Sequence, residues 1–302
     1  FLRLIHGFST GFKPTATAAY VADTVPAGKW GEAMGIHGLF FSTGMAIGPA
    51  IGSAITQYSS INVLFYTSSA FALLSILIIF NMKETLPAKQ KFKFSLFKIK
   101  KGEWINKQAL PVFWVTLFSY VSYGAIITII PDWTTNIGFT NKGIFFMVFT
   151  VASLMMRFIA GKISDRRGRK PVLKFSLIIL SIALIWLGVW QTVAGFLSGA
   201  VLYGLATGML SPAISAWTID LSDDDKRGLS VATMYIALEA GIGLGAFFSG
   251  WFVRDIIGRT PYVFYAIALV NTFAIVYLYI HKDYTEVEKS QKKLAFPLEK
   301  PI

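Results

Sequence analysis

The chain has 302 residues, 54% of them hydrophobic, 15% aromatic and 15% charged, with a mean hydropathy of +0.58 and a formal net charge of +12. A soluble domain carries about a quarter charged residues, so the composition excludes an ordinary soluble fold. The absence of cysteine excludes a disulfide framework, thiolate metal sites and a cysteine nucleophile, and His6, His37 and His281 are too scattered for a histidine metal cluster.

Hydropathy, with glycine and charge as punctuation, predicts nine membrane-spanning helices, over about 1–22, 33–57, 61–82, 110–131, 140–160, 171–190, 193–218, 229–252 and 261–280. Alternate loops differ in basic charge. One side takes Lys29, the lysines of Lys83–Lys107, the basic run Lys162–Lys170, Lys226 with Arg227, and the tail, 21 basic residues in all. The other side takes 3: Lys142, Arg254 and Arg259. Basic residues accumulate in the cytoplasm, so the rich side and the C-terminus are expected there.

An internal repeat is present at an offset of 197 residues. It pairs Gly7 with Gly204, Gly11 with Gly208, Ala16 with Ala213, Ala19 with Ala216 and Asp23 with Asp220. It continues through Gly31 and Gly228, Gly44 and Gly241, and Gly48 and Gly245. The offset spans an even number of helices, so the copies are parallel, as in transporters built from two six-helix halves. The expected fold is an all-α membrane protein with helices four to twelve of twelve visible, about three helices preceding Phe1. The expected organisation is 1–82 as the remainder of the N-terminal half, 83–109 as a basic cytoplasmic linker, 110–281 as the C-terminal half and 282–302 as a cytoplasmic tail.

Three motifs then carry a family resemblance. The run Gly161-Lys-Ile-Ser-Asp165-Arg166-Arg-Gly168-Arg169-Lys170 resembles the signature loop of the major facilitator superfamily, at its second position after helix eight. Gly35, Gly44, Gly48, Pro49 and Gly52 are spaced as in the helix-five antiporter motif, with Ser53 in place of a final glycine. Arg3-x2-His6-Gly7 resembles the helix-four arginine motif, with His6 where glutamine is usual. Asp23-x2-Pro26 and Glu84-Thr-Leu-Pro87 fit the same family.

Physical readings accompany the resemblance. Gly161 and Gly168 permit a sharp cytoplasmic turn, and Asp165 can face a helix N-terminus. Asp23, Gly161, Asp165, Arg166, Gly168 and Arg169 are expected to form a gate latch, in contact with the start of the second span around Gly31–Gly35; topology-setting charge on a solvated loop is the alternative. Gly44, Gly48 and Gly52 recur on one helix face, where small residues allow close helix approach, and Pro49 removes a backbone donor and can bend the helix.

Charges at bilayer depth are costly and functional by default. Arg3, Lys13 and Glu239 have uncharged repeat partners (Ala200, Leu210 and Ser42), so packing alone does not require them. Arg3 and Lys13 lie about 80° apart on an ideal helix and can share one cavity, or can snorkel to opposite headgroup layers. Glu239 is flanked by long uncharged stretches, which favour a proton-carrying or gating role over a surface charge. Arg157 reads as the cytoplasmic end of its helix, one turn before Gly161. Tyr120, Tyr123, Asp132 and Trp217 can line a solute pathway, or can serve packing and aromatic anchoring.

The resulting expectation is a non-enzymatic, proton-coupled exporter of a small amphipathic solute, monomeric, multi-pass in the cell membrane, without cofactor, metal or nucleic acid. The Lys83–Lys107 linker is expected to meet anionic lipids. An importer of a small metabolite and a non-transporting membrane sensor remain as alternatives.

Overall fold

The structure is a computed structural model and describes residues 2, 5–7, 17, 20, 24, 30–83, 105–223, 226–254 and 256–280. Every regular element among them is a helix. The chain divides into two compact units, Phe1–Lys98 and Ile99–Ile302.

In the first unit, α1 (Trp30–Tyr58) and α2 (Ile61–Ile79) form an antiparallel pair joined by a tight turn. Ser60 caps α2 by accepting a hydrogen bond from the Val63 amide, a standard use of a serine hydroxyl at an otherwise unsatisfied helix start. Pro49 sits inside α1. Most of the predicted first span, Arg3 and Lys13 included, lies outside the described residues, as do Asp23 and the 84–104 part of the linker.

The second unit holds six helices: α3 (Leu110–Asn136), α4 (Ile144–Arg167), α5 (Arg169–Val189), α6 (Val193–Asp220), α7 (Arg227–Val253) and α8 (Thr260–Ile280). Five of these six, and α2, are long and apolar enough to cross a membrane; in α4 the apolar stretch is shorter, Ile144–Arg157. Apart from α5 and α6, helices adjacent in sequence touch little. The main contacts are α3 with α7, α4 with α6, α5 with α6, α3 with α8, and α5 with α8. Exchanging α3 with α6, α4 with α7 and α5 with α8 maps this pattern onto itself, the sign of an inverted three-helix repeat nested within the bundle.

Glycine makes the two principal contacts possible. On α7, a Cβ at Gly241 or Gly245 would strike the carbonyl oxygens of Leu117 and Val121 on α3, and one at Gly124 would strike that of Ile242. On α6, a Cβ at Gly204 or Gly208 would strike those of Phe149 and Ser153 on α4. In lipid, where no hydrophobic drive brings helices together, such backbone approach supplies dispersion contact instead. Buried hydroxyls bond back to the preceding turn, as Ser119 does to the Val115 carbonyl and Thr218 to that of Ile214. Asn271 of α8 donates to the Leu177 carbonyl and to Ser181 of α5, both at 2.8 Å. At the end of the linker, Asn106 is buried and clamped to α7, donating through its side chain to Ser230 at 2.7 Å and through its backbone to Thr233 at 2.9 Å.

The structure corrects one boundary. Gly161 is helical: α4 runs on to Arg167, and the turn is made by Gly168 alone. Gly168 has φ 87° and ψ 161°, a conformation essentially confined to glycine, and a single residue therefore reverses the chain into α5.

Candidate functional site

The signature run ends in an ion pair. Arg169, the first residue of α5, donates from Nε to an Asp220 carboxylate oxygen at 2.9 Å, and from Nη1 to Ser164 Oγ of α4 at 3.1 Å. Asp220 is the last residue of α6. A cation at a helix N-terminus and an anion at a C-terminus each stand against the local dipole, so neither charge serves its own helix. Their pairing ties three helix ends together at the basic end of the bundle. Beside it, the Lys170 ammonium lies 5.9 Å from the centre of the Trp217 ring. Trp217 is 3% exposed and is part of the bundle core, adjacent to this pair. Arg166 is exposed on the last turn of α4, and the Asp165 carboxylate lies outside the described side chains.

A second polar group lies deeper. Tyr120 of α3 interacts with Ser211 of α6, and electrostatically with Arg157 of α4 and Tyr235 of α7. Four helices thus contribute one group each. The Tyr123 ring stands 6.4 Å from that of Tyr120, and one turn of α3 carries Ser122, whose hydroxyl meets the buried Tyr203 hydroxyl at 3.2 Å. Arg157 is ten residues before the end of α4, about 15 Å inside it, so it does not belong to the helix end as its proximity to Gly161 suggested. Its Nε is buried and has no hydrogen-bond partner among the described residues.

Glu239 lies on α7 twelve residues from its start, near the helix centre. Gly241 and Gly245 are packed against α3, while Glu239 is exposed on the surface of the unit. Tyr235, Glu239 and Gly243 recur at every fourth residue and share that face. The acid therefore stands one turn from the tyrosine that joins the Arg157 group.

The other predicted positions are dispersed. Asp132, near the opposite end of α3, pairs with Lys142 at 3.0 Å across the loop to α4, with both side chains exposed. Gly35, Gly44, Gly48, Pro49 and Gly52 lie on α1; no described atom approaches a Cβ built on Gly44 or Gly48 within 4 Å, and Leu64 of α2 lies 3.5 Å from one on Gly52. Two residues left aside by the sequence reading stand at the centres of these groups. Asp220 had its signal in the repeat, opposite Asp23, and Arg157 had its signal as a cation within a span.

The family model of the Major Facilitator Superfamily matches residues 1–115 and 112–300. The staphylopine export protein of Staphylococcus aureus strain Mu50 is 21% identical over 266 residues, which cover 85% of this chain and 67% of that protein. The quinolone resistance protein NorA of the same organism is 20% identical over 192 residues, 63% of this chain and 49% of NorA. The chain thus spans from about half to two thirds of the length of these relatives.

Proposed function

The chain belongs to the major facilitator superfamily, and from that premise we propose that it exports a small amphipathic solute by proton-coupled alternating access. The relatives named for staphylopine export and for quinolone resistance support the direction. The observation that carries the coupling is Glu239. It is a carboxyl group at mid-helix, on the face of α7 turned away from the glycines that hold α7 to α3. A carboxyl at that depth gains or loses its proton according to how its surroundings are hydrated. If protonation and solute binding favour different states, a pH gradient drives the solute.

The Arg169–Asp220–Ser164 junction is proposed as the latch of this unit. Small motions at helix ends are amplified when the ends are tied by a pair that is either made or broken. The basic end is proposed as cytoplasmic on the charge asymmetry of the loops.

The test is efflux of ethidium from proteoliposomes containing the full-length protein, driven by an imposed pH gradient. Glu239→Gln should abolish gradient-driven flux and retain ethidium exchange between equal pH. Unaltered gradient-driven flux in Glu239→Gln refutes the proton role.

A further inference from the structure

We propose that Arg157, Tyr120, Ser211 and Tyr235 form a carboxylate-binding subsite for the exported solute within the α3–α8 bundle. The inference rests on the transport reading above and adds the chemical class of the cargo.

The first argument is charge. An arginine cannot lose its proton in a protein, so at mid-helix it remains a cation wherever it is placed. Cations at such depth are paired or line a solute path. Among the acids of this unit whose side chains are described, none pairs with it: Asp132 holds Lys142, Asp220 holds Arg169 and Asp223 holds Lys226. Glu239 lies on α7, and Arg157 has no ion pair with it. The Arg157 Nε is buried without a hydrogen-bond partner among the described residues, so part of its planar fork is unused there. A bidentate anion fits that vacancy in bonding, because guanidinium and carboxylate match as two parallel N–H···O bonds.

The second argument is convergence. Arg157, Tyr120, Ser211 and Tyr235 come from four helices, yet each lies between about 12 and 15 Å from the basic end of its own helix. Antiparallel helices bring such positions to one level. Three hydroxyls at the level of the guanidinium can donate to the remaining lone pairs of a carboxylate, which accepts at both oxygens. The Tyr120 and Tyr123 rings, 6.4 Å apart, offer an apolar wall for the rest of an amphipathic molecule. A purely structural arginine would have its Nε satisfied by a backbone carbonyl or an acid, since buried polar atoms are otherwise costly.

The third argument is placement relative to the proton site. Tyr235 and Glu239 are one turn apart on the exposed face of α7. A bound carboxylate would therefore place negative charge within about one helical turn of the proposed proton carrier, a simple route to coupling.

The experiment uses the full-length protein in nanodiscs, with 4-biphenylcarboxylate and its neutral isostere 4-biphenylcarboxamide as probes, and titration calorimetry as readout. The wild type should bind the carboxylate about tenfold or more tighter than the amide, as expected for added charge-assisted bonds. Arg157→Gln should erase that preference, and Arg157→Lys should keep part of it, since an ammonium retains the charge and loses the fork. Wild-type protein that shows no carboxylate preference overturns the subsite. Equal loss of both probes in Arg157→Gln also overturns it and assigns Arg157 to structure. Efflux of the two probes from proteoliposomes reads the transport function separately: a carboxylate preference in binding without efflux of either probe refutes transport and leaves the subsite standing.

Discussion

Alanine at Gly245 and alanine at Gly250 differ in consequence although both sit on α7 facing α3. In each case the helix gains propensity worth up to about 1 kcal/mol, because alanine has less backbone entropy to lose. At Gly250 the new methyl would meet Thr128 Cγ2 at 3.5 Å, an ordinary contact. At Gly245 it would fall inside the radius of the Val121 carbonyl oxygen and 3.1 Å from the Ala125 amide nitrogen. Restoring contact distance requires α7 and α3 to part by about 1 Å, which loses dispersion along the whole seam. Sliding is also blocked, because Gly124 of α3 is pressed equally close to the Ile242 carbonyl. Overpacking of this kind costs about 1–3 kcal/mol. Gly250→Ala should therefore be neutral or slightly stabilising, and Gly245→Ala should lie about 1–3 kcal/mol below it. Denaturation of the full-length protein in mild detergent, followed by tryptophan fluorescence, measures the difference. Equal midpoints for the two variants would refute the claim that backbone contact at the glycines holds α3 to α7.

Two further outcomes concern the basic end. Gly168→Ala should cost about 1–3 kcal/mol, since its φ of 87° and ψ of 161° are closed to a residue with a Cβ, and thermal denaturation would detect it. Arg169→Ala and Asp220→Ala, combined in a double-mutant cycle, should show a coupling of about 0.3–1 kcal/mol, discounted because the side chains are 21% and 47% exposed. Both single variants should shift cysteine accessibility between the two ends of the bundle, and zero coupling with unchanged accessibility would remove the latch.

Much of the helical architecture was legible in hydropathy because long apolar runs admit few alternatives in a membrane. Predicted spans at 61–82, 193–218, 229–252 and 261–280 differ from α2, α6, α7 and α8 by at most a few residues. The larger differences have a common cause. Hydropathy records where a chain leaves hydrocarbon, whereas a helix ends where its backbone bonding ends. In α4 the apolar signal fades before Lys162, yet nothing breaks the backbone until Gly168 takes a positive φ. In α3 the helix continues through Pro131 to Asn136, since a proline removes one donor and need not stop a helix. The boundary at Gly161 then misdirected the reading of Arg157. Placed at a helix end, an arginine is a topology signal; placed about 15 Å within a helix, it requires a partner.

The repeat marked packing positions of this unit at mid-depth and a charge pair at the basic end. Gly241 and Gly245, identical to Gly44 and Gly48 across the offset, proved to be contact residues, and Glu239, which breaks the repeat, stands free of that contact. At mid-depth in this unit, the repeated glycines are therefore the packing positions. At the basic end the inference reverses. Asp220 matches Asp23, and a match there was passed over as symmetry, although Asp220 accepts the Arg169 hydrogen bond. A carboxylate at a helix C-terminus opposes the helix dipole in any repeat copy, so conserving it by symmetry needs a pairing reason in each copy. In this unit, repeat identity thus points to packing for glycine and to a pairing partner for a charge placed against its own helix.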